Sequence, residues 1–352
     1  MNRWCAAPGE RRTVIGMAAF IVVLHLAGWG VLAGLVASGH VPAGPGQVFG
    51  LGLGLTAYTL GMRHAFDADH IAAIDNTTRK QVAEGGRPVS VGFWFSLGHS
   101  TVVLVLVALL AFGLRSLAAQ VSDESSVLQQ VAGVSGTLVS GVFLLLIGVV
   151  NLVSLWGLLG VWRRMRGGSF DEAELERHLD NRGLANHLIR GATRAVTRPR
   201  HMYPVGLLFG LGFDTATEVG LLVLAGGAAV SLPWYAVLTL PVIFAAGMCL
   251  LDTADGLLMR HAYGWANGRP VRKVSYNVAV TGLSVTVALV IGGIELLSVL
   301  ADRLAVRSGP LAAIAGLDLG NVGFLVTGLF ALFWTVAVLV WKLGRLEERW
   351  GS

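Results

Sequence analysis

Eight apolar stretches dominate this chain, at residues 13–38, 48–74, 89–113, 131–161, 203–229, 233–259, 274–300 and 320–341. Crossing about 30 Å of hydrocarbon takes about 20 residues of helix, and each stretch meets that requirement. Inside hydrocarbon the backbone has no water to bond, so runs of this kind satisfy their N–H and C=O groups as helices. The expected fold is therefore all-α, a polytopic integral membrane protein with about eight transmembrane helices. Composition agrees: 13% of the 352 residues are charged, where a soluble domain carries about 25%. The first stretch follows Arg3, Arg11 and Arg12, as a signal peptide would. Its apolar core is too long for one and seven more stretches follow, so it reads as an uncleaved first span.

Charge placement sets the expected topology. Three Lys/Arg precede the first stretch, three lie between the second and third, nine between the fourth and fifth, four between the sixth and seventh, and three in the tail. The opposite loops hold Arg115, Arg303 and Arg307, so the ratio is 22 to 3. Basic residues stay in the cytoplasm during insertion, which places both termini there. The net charge of +5 is thus topogenic, and no nucleic-acid partner is expected. The two cysteines, Cys5 and Cys249, form neither a disulfide framework nor a thiolate metal motif.

An arginine-rich polar loop at 163–202 separates an N-terminal membrane half, 1–162, from a C-terminal half, 203–352. Within the loop, "FDEAELERHLD" has the spacing of a short surface helix. Four spans per half would make a parallel repeat, though the echo of "FDAD" in "LDTAD" is faint. Gly50/Gly54 and Gly206/Gly210 have the Gly-x-x-x-Gly spacing that lets helices approach closely.

Against this background, "RHAFDADHIAAID" (63–75) is anomalous. An ionisable side chain at the centre of a span costs about 2.5–3.5 kcal/mol. The second stretch nevertheless carries His64, Asp67, Asp69 and His70. The third carries His99, the fifth Asp214 and Glu218, the sixth Asp252 and Asp255, and the first His25. On a regular helix His64, Asp67 and His70 fall within about 120° of arc. Asp214/Glu218 and Asp252/Asp255 each share a face, while Asp69 points almost opposite Asp67. Imidazole nitrogen with carboxylate oxygen and no thiolate suits a borderline divalent ion such as nickel, cobalt, zinc or iron(II).

Plainer readings stand beside this one. Arg63 and Asp67 are i, i+4 and could be an ion pair, with the motif, Asp75 included, in a wet loop. His25 could bond a backbone carbonyl, and His99 could be a hydrogen-bonding node between helices. The acidic pairs could form a proton relay, and Cys249 could be an apolar filler.

Taken together, "RHAFDADHI", "FSLGHSTVV", "LGFDTATE" and "GMCLLDTADG", in that order and each in a span, resemble the nickel/cobalt transporter (NiCoT) family of secondary permeases. The family signature, histidine, four residues, then aspartate–histidine, falls on His64, Asp69 and His70. The resemblance implies eight helices, cytoplasmic termini and uptake of Ni²⁺ or Co²⁺ across the cytoplasmic membrane of a bacterium. It makes His64, Asp67, Asp69 and His70 the metal-recognition residues. His25 and Phe66, between "HA" and "DADH", match members that lean toward cobalt, and become candidate selectivity residues. The metal is then substrate, with no other cofactor. No phosphate-binding Gly-x-x-x-x-Gly-Lys motif is present, so no ATPase subunit is expected. The rival readings are a proton-coupled transporter of a non-metal solute and an intramembrane metalloenzyme. The second would need His-x-x-His-His boxes, which the chain lacks.

Overall fold

Prolines mark several of the helix starts. Pro270 opens α10 (Pro270–Arg303) and Pro310 opens α11 (Pro310–Ala315). Pro241 lies in the first turn of α9 (Thr239–Ala266), where a missing N–H removes no helical bond. The computed structural model describes residues 8–38, 50–112, 126–166, 196–212, 216–266, 270–317, 319 and 321–343. The remaining helices are α1 (Pro8–Ser38), α2 (Leu51–His64), α3 (Ala68–Ala83), α4 (Val91–Ala111), α5 (Val127–Arg166), α6 (Met202–Gly210), α7 (Ala216–Ser231), α8 (Trp234–Val237) and α12 (Val322–Leu343). Among the described residues there is no strand, and the fold is all-helical.

Five segments are long and apolar enough to cross a membrane: Gly9–Ser38, Val91–Ala111, Gly133–Gly157, Trp234–Gly264 and Val278–Arg303. Two shorter apolar helical stretches, Gly220–Ala229 and Val322–Val336, accompany them. Large apolar side chains such as Leu26, Val23, Trp156, Leu325 and Leu332 are exposed. On a soluble protein that much exposed apolar surface would drive association. On helices long and apolar enough to cross a membrane, it is the surface that lipid requires.

Two of the expected single spans are broken. The 48–74 stretch is not one helix: α2 ends at His64 and α3 begins at Ala68. The amides of Ala65, Phe66 and Asp67 turn back onto the carbonyls of Gly61, Arg63 and His64. Asp67 then takes extended backbone, φ −64° and ψ 142°, and starts α3 afresh. That helix runs on past 74 to Ala83, so Arg79 and Lys80, counted above as loop charges, are helical and buried. Arg79 Nη1 donates to Thr281 Oγ1 (3.1 Å) and Lys80 Nζ to the Val196 carbonyl (3.0 Å). The 203–229 stretch likewise divides into α6 and α7, with residues 213–215 outside the described set. The surface helix expected at "FDEAELERHLD" also lies outside the described residues, as does most of the 163–202 loop.

The central element is α9, which packs against α1, α2, α3 and α4, while α10 lies along α5 and α4 along α6. One apolar cluster gathers Leu32, Ala57, Val107, Leu221, Leu240 and Phe244, from α1, α2, α4, α7 and α9. A second gathers Ile71, Phe95, Leu144, Met202, Ile291 and Phe330, from α3 to α6, α10 and α12. The α4–α6 approach depends on glycine. A Cβ on Gly98 would lie 2.0 Å from the Tyr203 carbonyl oxygen, and one on Gly206 2.0 Å from that of Phe95. With no hydrophobic effect to join helices in lipid, such backbone contact is what holds them.

Candidate metal centre

The two helix breaks and the glycine contacts bring ionisable side chains from five helices together. His64 ends α2, His70 lies in the first turn of α3, His99 is midway along α4, Glu218 is in the first turn of α7 and Asp252 is on α9. All five are essentially inaccessible, at 1–2% exposure. The three imidazole rings have centroids 4.5 Å (His64–His70), 4.6 Å (His64–His99) and 4.9 Å (His70–His99) apart. One ring nitrogen from each lies within 4.8 Å of the others.

Hydrogen bonds fix what each nitrogen offers. His64 Nδ1 lies 2.6 Å from Asp67 Oδ2 and 3.0 Å from Thr217 Oγ1. An ionised carboxylate only accepts, so the ring hydrogen belongs on Nδ1 and the lone pair on Nε2. That Nε2 faces His99 Nε2 at 2.9 Å, and His99 Nε2 in turn faces Glu218 Oε1 at 2.5 Å. One hydrogen on His99 Nε2 serves one neighbour and leaves the other contact without a proton. His70 has no hydrogen-bond partner on either ring nitrogen among the described residues. Its nearest carboxylate oxygen, Asp252 Oδ2, stands 3.6 Å from Nδ1, and neither oxygen of Asp252 is bonded either.

Buried polar atoms left without partners cost about 1–3 kcal/mol each. A cation accepting lone pairs from the nitrogens and oxygens removes that cost at several atoms together. Two nitrogens on one ion at about 2.1 Å stand about 3.0 Å apart when cis and about 4.2 Å when trans. The 2.9 Å separation of His64 and His99 fits the cis case, and a His70 nitrogen lies within 4.8 Å of both. Asp67, holding Nδ1 of His64, plays the orienting part that carboxylates play behind metal-bound histidines.

Of the residues singled out from sequence, the structure brings together His64, Asp67, His70, His99, Glu218 and Asp252. The other described ones make different contacts. Asp69 is partly exposed, accepts from its neighbour's amide (His70 N–H, 2.9 Å) and reaches Ser140 Oγ on α5 at 3.5 Å. Asp255 lies one turn beyond Asp252, its buried oxygens without hydrogen-bond partners among the described residues. His25 bonds the Ile21 carbonyl (2.8 Å) and Tyr58 Oη (3.2 Å), the carbonyl-bonded arrangement weighed above. Asp214 lies outside the described residues. Phe66 stacks on Phe324 of α12, with ring centroids 4.6 Å apart. Arg63 is exposed while Asp67 engages His64, so the plain ion pair between them is not what forms. Asp75 is fully buried and accepts from Tyr263, which also contacts Ser284, so it is not in a wet loop. Cys249 takes a hydrogen bond from Ser96 Oγ at 3.1 Å. Sequence reasoning missed Thr217; its one signal was a hydroxyl directly before a buried acid.

The chain is 57% identical over 335 residues to a nickel transporter of Mycobacterium tuberculosis, covering 95% of this chain and 90% of that protein. It is 42% identical over 342 residues to a nickel transporter of Staphylococcus aureus, covering 97% and 98%. It is also 42% identical over 334 residues to a cobalt transport protein of Rhodococcus rhodochrous, covering 94% and 92%. No solved structure matches significantly. The family described as high-affinity nickel-transport protein (NicO) matches residues 50–340, a range that contains every residue of the centre. The chain therefore belongs to the nickel/cobalt transporter family, and is a transport protein and not an enzyme.

Proposed function

We propose that this protein imports Co²⁺, Ni²⁺ or both across the bacterial cytoplasmic membrane through eight spans with both termini cytoplasmic. The ion binds among His64, His70 and His99, with Glu218 and Asp252 supplying negative charge and Asp67 orienting His64. The observation that carries this reading is the convergence of three buried imidazoles, one of them without any hydrogen-bond partner among the described residues. Relatives named for nickel and for cobalt transport support it. Selectivity comes from the shape of the site, because zinc and copper match or exceed cobalt in intrinsic affinity for such ligands.

Membrane potential supplies the driving force. A unit charge gains about 2.3 kcal/mol per 100 mV, so a divalent ion gains about 4.6. At about 1.4 kcal/mol per decade, that sustains accumulation of about a thousandfold. The test is uptake of ⁵⁷Co and ⁶³Ni by cells making the chain, with Zn²⁺, Mn²⁺ and Cu²⁺ as competitors. The intact protein accumulates the label, and His64→Ala, inserted normally, loses at least nine-tenths of it. Wild-type rates in that variant would refute the assigned site.

A further inference from the structure

Between His64 and His70 the chain has little helical restraint of its own. Residues 65–67 belong to neither α2 nor α3, and Asp67, at the N-cap of α3, spends its carboxylate on His64 instead of capping. Turn bonds from Ala65, Phe66 and Asp67 hold part of the path that sets one histidine against the other, and a second support comes from outside α2 and α3. The start of α12 lies against that stretch. A Cβ built on Gly323 would sit 1.5 Å from the Phe66 carbonyl oxygen, 2.6 Å from its carbonyl carbon and 3.1 Å from Ala68 N. Nothing larger than hydrogen fits. The next residue, Phe324, stacks its ring on Phe66 at 4.6 Å with an interplanar angle of 25°. Phe66 makes no ring contact with the three imidazoles among the described residues, so its side chain is held by α12 and not by the centre.

We propose that Gly323 and Phe324 are positioning residues for metal selectivity: they clamp Phe66 and its carbonyl, and through them the spacing of His64, Asp67 and His70. Any influence of Phe66 on the choice of ion then travels through the backbone. The inference rests on the proposed transport function and adds the last helix to the device that tunes it. Aromatic pairs contribute about two- to tenfold to an equilibrium, and that is the size of effect the clamp should exert on ion preference.

The experiment compares Co²⁺ and Ni²⁺ uptake kinetics in wild type, Phe66→Ala, Phe324→Ala, Phe324→Tyr and the Phe66→Ala/Phe324→Ala double variant. A topology reporter verifies insertion. Phe324→Ala should change the Co²⁺/Ni²⁺ ratio of Vmax/KM about two- to tenfold. Phe324→Tyr, which keeps the stack, should restore the wild-type ratio. The double variant should match Phe66→Ala alone, since both act on one contact. Leu325→Ala, at a neighbouring exposed position, should leave the ratio unchanged and so excludes a general loosening of α12. Should the alanine variant insert poorly, Phe324→Leu removes the stack while keeping volume and reads the same ratio. An inserted variant lacking the stack with the wild-type ratio overturns the inference and leaves the transport function standing. A wild-type chain that accumulates neither metal overturns both.

Discussion

Asp67 and Asp69 stand two residues apart in one motif and do different things. A regular helix would already point them in nearly opposite directions, and the break at 65–67 completes the separation. Asp67 turns back to hold His64 Nδ1 at 2.6 Å, while Asp69 turns toward Ser140 on α5. That the acids and imidazoles would need partners was legible in the sequence, because uncompensated charge is costly in a span. Which ones meet was not, because partner choice depends on a local turn and on neighbours far away in sequence, such as Thr217 and Asp252. The role given to Asp67 predicts a graded effect. Asp67→Asn removes the anionic acceptor behind His64 but leaves all three imidazoles in place. Orienting residues of this kind typically contribute about 10- to 100-fold to metal affinity. The expected outcome is a KM for Ni²⁺ or Co²⁺ raised by about that factor, with surface-normalised expression unchanged, measured by initial uptake rates. An unaltered KM would show that His64 is oriented without it.

At the level of elements, apolar length reported the helices, and all eight expected stretches contain one or more of them. It did not report the interruption of the second. Ala65, Phe66 and Asp67 include neither glycine nor proline, so no ordinary breaker stands there. The break lies where Asp67 adopts extended backbone and Gly323 of α12 packs close to the Phe66 carbonyl, a neighbour that no local pattern reports. Glycine spacing was more informative. Gly206 and Gly210, spaced for close packing, do pack on α4, against the backbone of Phe95 and His99. A side chain on Gly206 would meet the Phe95 carbonyl oxygen at 2.0 Å and His99 N at 3.0 Å. Gly206→Val should therefore push α6 off the turn that carries His99. Overpacking typically costs about 1–3 kcal/mol, which should appear as a lower unfolding midpoint in detergent, accompanied by weaker metal uptake. A variant as stable and active as wild type would mean the α4–α6 contact has slack.

For the molecule as a whole, the proposed function depends on an asymmetry that no single helix contains. The loops expected on one side carry 22 Lys and Arg by sequence against 3 in the others, although Arg79 and Lys80 of those 22 are buried in α3, and the proposed orientation sets a charged site across a field that is negative on the basic side. On that proposal, every ion reaching the cytoplasm carries two charges down the field unless another ion moves with it. The buried carboxylates, Asp252 and Asp255 among them, leave room for proton movement, and the stoichiometry can be read from voltage. At about 2.3 kcal/mol per charge per 100 mV, two uncompensated charges make the limiting accumulation ratio change about hundredfold for each 60 mV. Proteoliposomes clamped with potassium and valinomycin provide the measurement, with internal ⁶³Ni or ⁵⁷Co read at steady state over several imposed potentials. Transport of the metal alone predicts two decades per 60 mV. One decade would mean that a proton leaves as each metal enters, and three that a proton accompanies it. Absence of any voltage dependence would remove membrane potential as the driving force, because a net movement of charge cannot be indifferent to the field it crosses.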